Sequence, residues 1–416
     1  MKLTITLPLG IIALAGSARS QVVVDGTIAG DAYGPAVQVQ FTQTQFGDNL
    51  SELNAAYMTV EGGRLFIALT GNLESNFNKL EIFVDSQPGG ENVFTGVPGN
   101  DNTGVMTGLT FDMGFEADYH IILRRGSFMG DKFDIDIAEL GTANFSSYFD
   151  VFGGTTEGSG TTGTGPANAS PIEVAYDDSN VAGILSGIGV TNQANALAVL
   201  TGMELSVDLA DLGSPGGIIK FCIFVNGSNH DFASNQFFGS VGPPQSNLGG
   251  DGFGNFNGLL NFDLNSFAGD QFFDFAAANP VGSNYCLAAV NSSGSAAIIS
   301  GLGSASISSN DLTLVCLQLP TSPDHPGIFI AGPAQAQIPF FNGFLCVDPV
   351  GLQRFFNAAV SVGGVISEAV DYGTSAAGGL NVVAGSSYFY QRWFRDPVAG
   401  GGNANFSDGL EVVHTP

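Results

Sequence analysis

Ala56-Tyr-Met-Thr-Val60, then Glu61-Gly-Gly-Arg64, then Leu65-Phe-Ile-Ala-Leu69 is the stretch that decides how this chain folds. Ala56, Met58 and Val60 alternate with less apolar neighbours, and Leu65, Ile67 and Leu69 do the same. Period-two alternation puts each triplet on one face of a strand. The Gly-Gly pair between them is a tight-turn signal, so the whole reads as a β-hairpin. The pattern repeats outward along the chain. Leu80, Ile82 and Val84 make one strand face, Leu205, Val207 and Leu209 another. Phe133, Ile135 and Ile137 alternate with Asp134 and Asp136, which this reading turns toward water. No segment sustains a 3.6-residue period. Only Asn192 to Leu200 and Asp208 to Leu212 suit short helical turns. The expected fold class is all-β, built as two β-sandwich domains.

Composition supports this. The 416 residues include 59 glycines, which favour many turns and short strands. Hydrophobic residues make up 44% and charged residues only 12%, so cores are affordable in length while the polar surface falls to Asn, Gln, Ser and Thr. Residues 1–20 read as an export signal: Lys2, an apolar run Leu7 to Ala15, and a small-residue cleavage site at Ala18-Arg19-Ser20. That run is too short to span a bilayer, and no transmembrane segment is expected in the mature chain from Gln21. The formal charge is −27, and losing Lys2 and Arg19 makes it more negative still. Nucleic acid and anionic membrane surfaces are therefore poor partners.

Cys222, in the strand-like run Lys220-Phe-Cys-Ile-Phe-Val225, reads as a packed free thiol. Cys286, Cys316 and Cys346 are an odd set in the last third of the chain, leaving one unpaired unless a bridge crosses modules. Their wide spacing, with no CxxC, argues against zinc. Gly153 to Ser170 and Asn247 to Gly258 are low-complexity stretches read as loops, the first as a mobile one. The composition shifts again near Phe275. Residues 21–276 are taken as the first module, 277–282 as a linker and 283–416 as the second module.

The first module carries, in order, Val24-Asp-Gly-Thr-Ile-Ala-Gly-Asp-Ala-Tyr33, Glu52-Leu-Asn-Ala-Ala-Tyr57, Arg64-Leu-Phe-Ile-Ala-Leu69, Lys79-Leu-Glu-Ile-Phe-Val-Asp85 and Val207-Asp-Leu-Ala-Asp-Leu-Gly213. This order resembles the family 9 carbohydrate-binding module and the related DOMON-like sandwiches, over roughly residues 22–275. The resemblance implies a β-sandwich, with polysaccharide as the leading ligand class. The whole chain is also similar to bacterial secreted proteins of unassigned function, through Asn72-Leu-Glu-Ser-Asn-Phe-Asn-Lys-Leu80, Leu109-Thr-Phe-Asp-Met-Gly-Phe-Glu-Ala-Asp-Tyr119 and Asn226-Gly-Ser-Asn-His-Asp-Phe-Ala-Ser-Asn-Gln236. Its tail resembles their C-terminal module through Asn284-Tyr-Cys286, Asn342-Gly-Phe-Leu-Cys-Val347, Trp393-Phe-Arg-Asp-Pro397 and Phe406-Ser-Asp-Gly-Leu-Glu-Val412, which implies a smaller immunoglobulin-like sandwich. Those tails often end in Cys-Pro, whereas this chain ends His414-Thr-Pro416. On that comparison Cys286 loses its partner, and Cys316 pairs with Cys346.

Candidate chemistry is sparse. Family 9 modules clamp sugars between aromatic rings, yet the first module has no Trp and offers only Tyr33, Tyr57, Tyr119, Tyr148 and Tyr176. Asp85, Asp101, Asn102 and Asp112 follow a strand and supply hard oxygens of the kind calcium takes, although turn-forming Asp and Asn look the same. His230-Asp231 invites a ligand-binding or catalytic reading. No nucleophile motif accompanies it, and a turn after Asn226-Gly-Ser-Asn229 is the simpler account. Paired carboxylates for glycoside hydrolysis carry no signal among 38 acids. Haem in a DOMON-like pocket would need ligands such as Met58 and His120. Trp393 is assigned to a sandwich core, and Arg395-Asp396 to a local ion pair. The expectation is a non-enzymatic extracellular or cell-surface binding protein for polysaccharide. A structural or adhesion protein of the cell envelope, and a hydrolase acting near His230, are the alternatives.

Overall fold

The computed structural model describes residues 21–153, 157–215, 217–239, 241–248, 263–276, 281–321 and 323–416. Residues 1–20, read above as an export signal, and most of Asn247 to Gly258 lie outside the described residues. The chain is almost wholly β, and every pairing between its named strands is antiparallel.

Residues before 277 supply β1 (Gln38–Val39), β2 (Glu52–Glu61), β3 (Arg64–Asn72), β4 (Asn76–Asp85), β5 (Tyr119–Ser127), β6 (Asp131–Glu139), β7 (Phe145–Phe152), β8 (Glu157–Thr161), β9 (Glu173–Asp177), β10 (Gly202–Asp208), β11 (Ile218–Asn226), β12 (Phe237–Phe238) and β13 (Phe273–Ala276). One sheet has the order β1-β2-β3-β10-β9-β8 and the other β12-β11-β4-β5-β6-β7, with β13 also on β11. The β2–β3 hairpin turns where Glu61 faces Arg64. Gly62 and Gly63 sit at φ +58° and +83°, as a turn with two left-handed residues requires. Ala56, Met58, Val60, Leu65, Ile67 and Leu69 all enter the core between the sheets and meet Leu80, Ile82, Val84, Ile121 and Ile135 from the facing sheet. The two helical turns form where expected, as α1 (Gln193–Leu197), capped by the Asn192 side chain, and as a 3-10 turn over Leu209–Leu212, capped by Asp208.

The second sheet is buried on both faces. Its outer side carries Phe83, Phe224 and Cys222, and these pack under segments running through Phe94, Met106, Phe111 and Leu264. Cys222 is a buried free thiol. Asp134 and Asp136 lie on this covered side, so they are buried rather than facing water. Gly153 to Ser170 also departs from expectation, because its described part contains β8 on the sheet edge and buried Ala167 and Asn168. Asn168 ties that run down, accepting from the Tyr148 hydroxyl at 2.7 Å and donating to the Ser170 carbonyl at 2.8 Å. Glycine there is close approach, not looseness: a Cβ on Gly160 would meet the Val151 carbonyl at 2.5 Å.

Residues from 281 onward supply β14 (Ser283–Tyr285), β15 (Ile298–Leu302), β16 (Thr313–Leu317), β17 (Pro326–Gly332), β18 (Gln335–Phe340), β19 (Gly343–Val347), β20 (Gln353–Arg354), β21 (Ala359–Val360), β22 (Ile366–Ala369), β23 (Ser387–Arg395) and β24 (Ala404–Val413). The order β14-β24-β23-β17-β20, with β21 on β17, faces a three-stranded sheet β15-β16-β22 across a core that includes Ile299, Leu314, Phe329, Tyr390 and Leu410. The β18–β19 hairpin lies on the other side of the larger sheet. Trp393 is therefore not between the sheets. Tyr388, Tyr390 and Phe394 take that side of β23, while Phe389 and Trp393 pack under the hairpin.

The disulfide is Cys286–Cys346, with Cα atoms 6.0 Å apart, and Cys316 is free. This corrects the Cys316–Cys346 pairing. Cys316 points from β16 into the core, whereas Cys346 on the hairpin lies across the larger sheet, beside the end of β14. Arg395 and Asp396 do not pair either. Asp396 is buried and accepts from the Ser292 amide at 3.0 Å, and the Arg395 side chain is exposed. Among the described residues no strand pairing joins the two parts of the chain. They meet through side chains, with Gln38 donating to Ser295 at 3.2 Å and Gln318 to the Val37 carbonyl at 2.9 Å.

Candidate functional site

Three strands place charges side by side on the covered face of the second sheet. Alternation on β4 puts Lys79, Glu81 and Phe83 there, on β5 His120, Ile122 and Arg124, on β6 Asp134 and Asp136. The register sets Lys79 opposite Arg124, Phe83 opposite His120, and Arg124 opposite Asp134. Glu81 is fully buried between two histidines. Its Oε2 is 2.8 Å from His120 Nε2, its Oε1 2.7 Å from His230 Nδ1, and Asn226 donates to Oε1 at 3.0 Å. Asp101, from the overlying loop, meets Lys79 Nζ at 2.8 Å and Arg124 Nη1 at 3.0 Å. Arg124 also pairs with Asp136.

His230 closes the lattice. Its Nε2 lies 2.7 Å from the Asp101 carbonyl, so both ring nitrogens face acceptors. An imidazolium satisfies both. Burial alone pushes His230 down, but Glu81 and Asp101 outweigh it and hold it up at about 9. Glu81 in turn is held far below the usual carboxylate range: burial acts to raise it, and the two histidines overcome that. Four carboxylates (Glu81, Asp101, Asp134, Asp136) thus surround three cations (Lys79, Arg124, His230). His120 stacks on Phe83, rings 4.0 Å apart, and its Nδ1 has no partner among the described residues. Glu81, His120 and His230 have no solvent exposure, and the lattice clasps the loops that carry Asp101 and His230 onto the sheet.

The residues singled out in the sequence scatter around it. His230 does sit in a turn, at φ +58° with its amide on the Gly227 carbonyl, but it bonds Glu81 and Asp101 and not its neighbour Asp231, which is half-buried. Asp85, Asp101, Asn102 and Asp112 do not gather. Asp85 pairs with Lys220 at 3.2 Å, Asp101 joins the lattice, Asn102 is exposed, and Asp112 accepts from the Gln271 amide. Loop oxygens near in sequence are here drawn to different cations and amides. Met58 and His120 lie on opposite faces of the second sheet's layer, one in the inter-sheet core and one under the loops, and share no haem pocket.

One carboxylate group is gathered among the described residues. Asp25, Asp31 and Glu204 each bring an oxygen within 4.8 Å of the others, a set capable of coordinating a metal ion. Glu204, buried on β10, is already engaged: it accepts from the amides of Asp25 at 2.9 Å and Gly26 at 2.7 Å, and from Tyr33 Oη at 2.8 Å. Burial pushes its carboxyl up to about 7.

The other feature is a half-enclosed cleft of about 300 Å³ where the two parts of the chain meet. Tyr33, Met58 and Thr59 line one wall, Asp274 and Phe275 the junction, and Asn284, Ser300 and Asp408 the far wall. Asp408 is fully buried, accepts from the Ile299 amide at 2.7 Å and Asn284 Nδ2 at 2.8 Å, and is pushed by burial up to about 8. Asp274 is pushed by burial up to about 7, and its Oδ1 has no partner among the described residues. Neither acid was singled out from the sequence. Asp274 sits in an ordinary Phe-Asp-Phe alternation and Asp408 in Ser-Asp-Gly, so only three-dimensional neighbours mark them. No protein-family model matches the chain, and no curated protein does.

Proposed function

We propose that the chain is a non-catalytic extracellular binding protein for polysaccharide, and that sugar is taken at the junction cleft. The observation that carries this is the mixed lining. Sugar rings present apolar faces and hydroxyl rims together, and the cleft offers the Tyr33 and Phe275 rings and Met58 beside Asp274, Asn284, Ser300 and Thr59. Carboxyls poised near neutrality serve as donors or acceptors to hydroxyls. Clefts between domains are common ligand sites. The reading places the first part of the chain with family 9 carbohydrate-binding and DOMON-like sandwiches, and the second with immunoglobulin-like ones. Export by residues 1–20 belongs to it, as do delivery to the medium or cell surface and a chain without membrane spans. No helix among the described residues is long and apolar enough to cross a membrane.

Binding is preferred to hydrolysis because the histidines and Glu81 are sealed, and because Asp408 is committed to Ile299 and Asn284. The test is retention of the full mature chain on immobilised polysaccharides, with Thr59→Trp to fill the cleft from a partly exposed strand position. Retention lost in the variant supports the reading. Failure to bind any glycan, or retention indifferent to Thr59→Trp, contradicts it. Calcium is a subsidiary part of the reading, assigned to Asp25, Asp31 and Glu204. Millimolar calcium should raise the Tm of the wild type and not of Glu204→Gln; an equal response refutes that assignment.

A further inference from the structure

The far side of the larger sheet in the second part of the chain has a cavity of its own. It holds about 230 Å³ between the β18–β19 hairpin and the strands beneath. Ile330, Phe340, Leu345, Trp393 and Phe406 dominate its lining, and Arg354 supplies the one charged side chain. Ile330 and Arg354 are cross-strand partners, which places both on the same face.

Two facts select the ligand. The wall is nearly devoid of hydrogen-bonding groups, so a sugar would lose its water contacts without replacement. Among the described residues the lysines and the other arginines are nearly all committed. Lys79, Arg124, Arg125, Lys132 and Lys220 pair with aspartates, Arg64 bonds Ser206, and Arg392 donates to the Ala359 carbonyl. Among the described residues only Arg354 and Arg395 have side chains with no partner, and Arg395 stands two residues along β23 from Trp393, on the same side. Both free guanidinium groups thus belong to the face that carries the apolar cavity.

The wall is also pre-set. Cys346 is bonded to Cys286, and the Gln391 side chain holds the hairpin base, accepting from the Cys346 amide at 2.9 Å and donating to the Phe344 carbonyl at 2.8 Å. A rigid wall lowers the ordering cost of binding.

We infer that this cavity binds a small amphipathic carboxylate, its acyl or aryl part against Trp393, Phe340 and Phe406 and its carboxylate on Arg354. The site is independent of the junction cleft. The volume lies below the roughly 300–1,000 Å³ of drug-sized sites, which suits a medium-length chain on the order of eight to ten carbons.

Trp393 is the only tryptophan of the chain, so its fluorescence reports on this cavity alone. The experiment titrates the full mature chain with decanoate and with decanol, and repeats both with Arg354→Met, a change at an exposed position. The expected result is a saturable change in emission with decanoate. Arg354→Met should weaken it about tenfold while leaving decanol unchanged, the loss of one charge-assisted contact. No saturable change in the wild type, equal affinity of both proteins for decanoate, or emission that follows protein concentration through self-association on this face would overturn the inference.

Discussion

At the residue scale, His230 carries the most structural consequence. It supplies a cation to Glu81, a carboxylate with no solvent of its own. His230→Ala leaves that charge with His120 and the Asn226 amide alone and opens a void beneath the Asp101 loop. Removing one partner of a buried pair costs about 3–5 kcal/mol, and urea unfolding should show a loss of that size. Asp231→Ala, next door and outside the lattice, should stay within about 0.5 kcal/mol. Equal effects from the two changes would return His230 to an ordinary turn residue. Sequence reading found the turn and missed the lattice. His230, Glu81 and Asp101 are distant along the chain, and only the pairing of β4 with β5 and β11 brings them together.

At the element scale, the strands were legible where one face is apolar and the turn is short. Ala56 to Leu69 needs no partner to announce a hairpin. What alternation does not tell is what covers the other face. Asp134 and Asp136 have the pattern of solvent-facing aspartates, yet both are buried against Arg124, which Asp101 of the overlying loop also holds, and Asp134 accepts from the Asp150 amide. Trp393 failed for the same reason, since both faces of β23 are buried and periodicity alone does not say which is the inter-sheet side. The β18–β19 hairpin is the element whose position depends most on one bond. The Cys286–Cys346 bridge closes a separation of 60 residues, worth about 4 kcal/mol on chain-entropy grounds. Cys286→Ser with Cys346→Ser should lower stability by that order and increase exchange of the hairpin amides. A double variant as stable as the wild type would mean that Gln391 and the apolar contacts hold the hairpin alone.

At the scale of the whole molecule, the buried acids set an unusual pH dependence. Glu52, Asp112, Glu204 and Asp274 are pushed by burial up to about 7, and Asp408 to about 8. Their unfolded values lie near 4, so between pH 4 and 8 the folded chain binds more protons than the unfolded one. Stability then falls as pH rises. His230 adds to this in the same direction, its contribution full below about 6.5 and lost as pH climbs through about 9. Glu81 and Asp101, held low, act oppositely and only in acid, losing their contribution as pH falls below their unfolded values near 4. Thermal melting should therefore show a maximum near pH 4–5 and a steady decline toward pH 9. A maximum above pH 7 would show that these carboxyls are solvated in the folded chain.

The same scale holds the functional claim, because the cleft exists only where the two parts of the chain meet. Amide hydrogen exchange of the full mature chain, with and without a retained soluble oligosaccharide, tests it most directly. Slower exchange is expected at residues 32–37, 58–59, 274–276, 282–284, 298–300, 317 and 408, and nowhere else. Protection elsewhere, or no protection at saturating sugar, would contradict it.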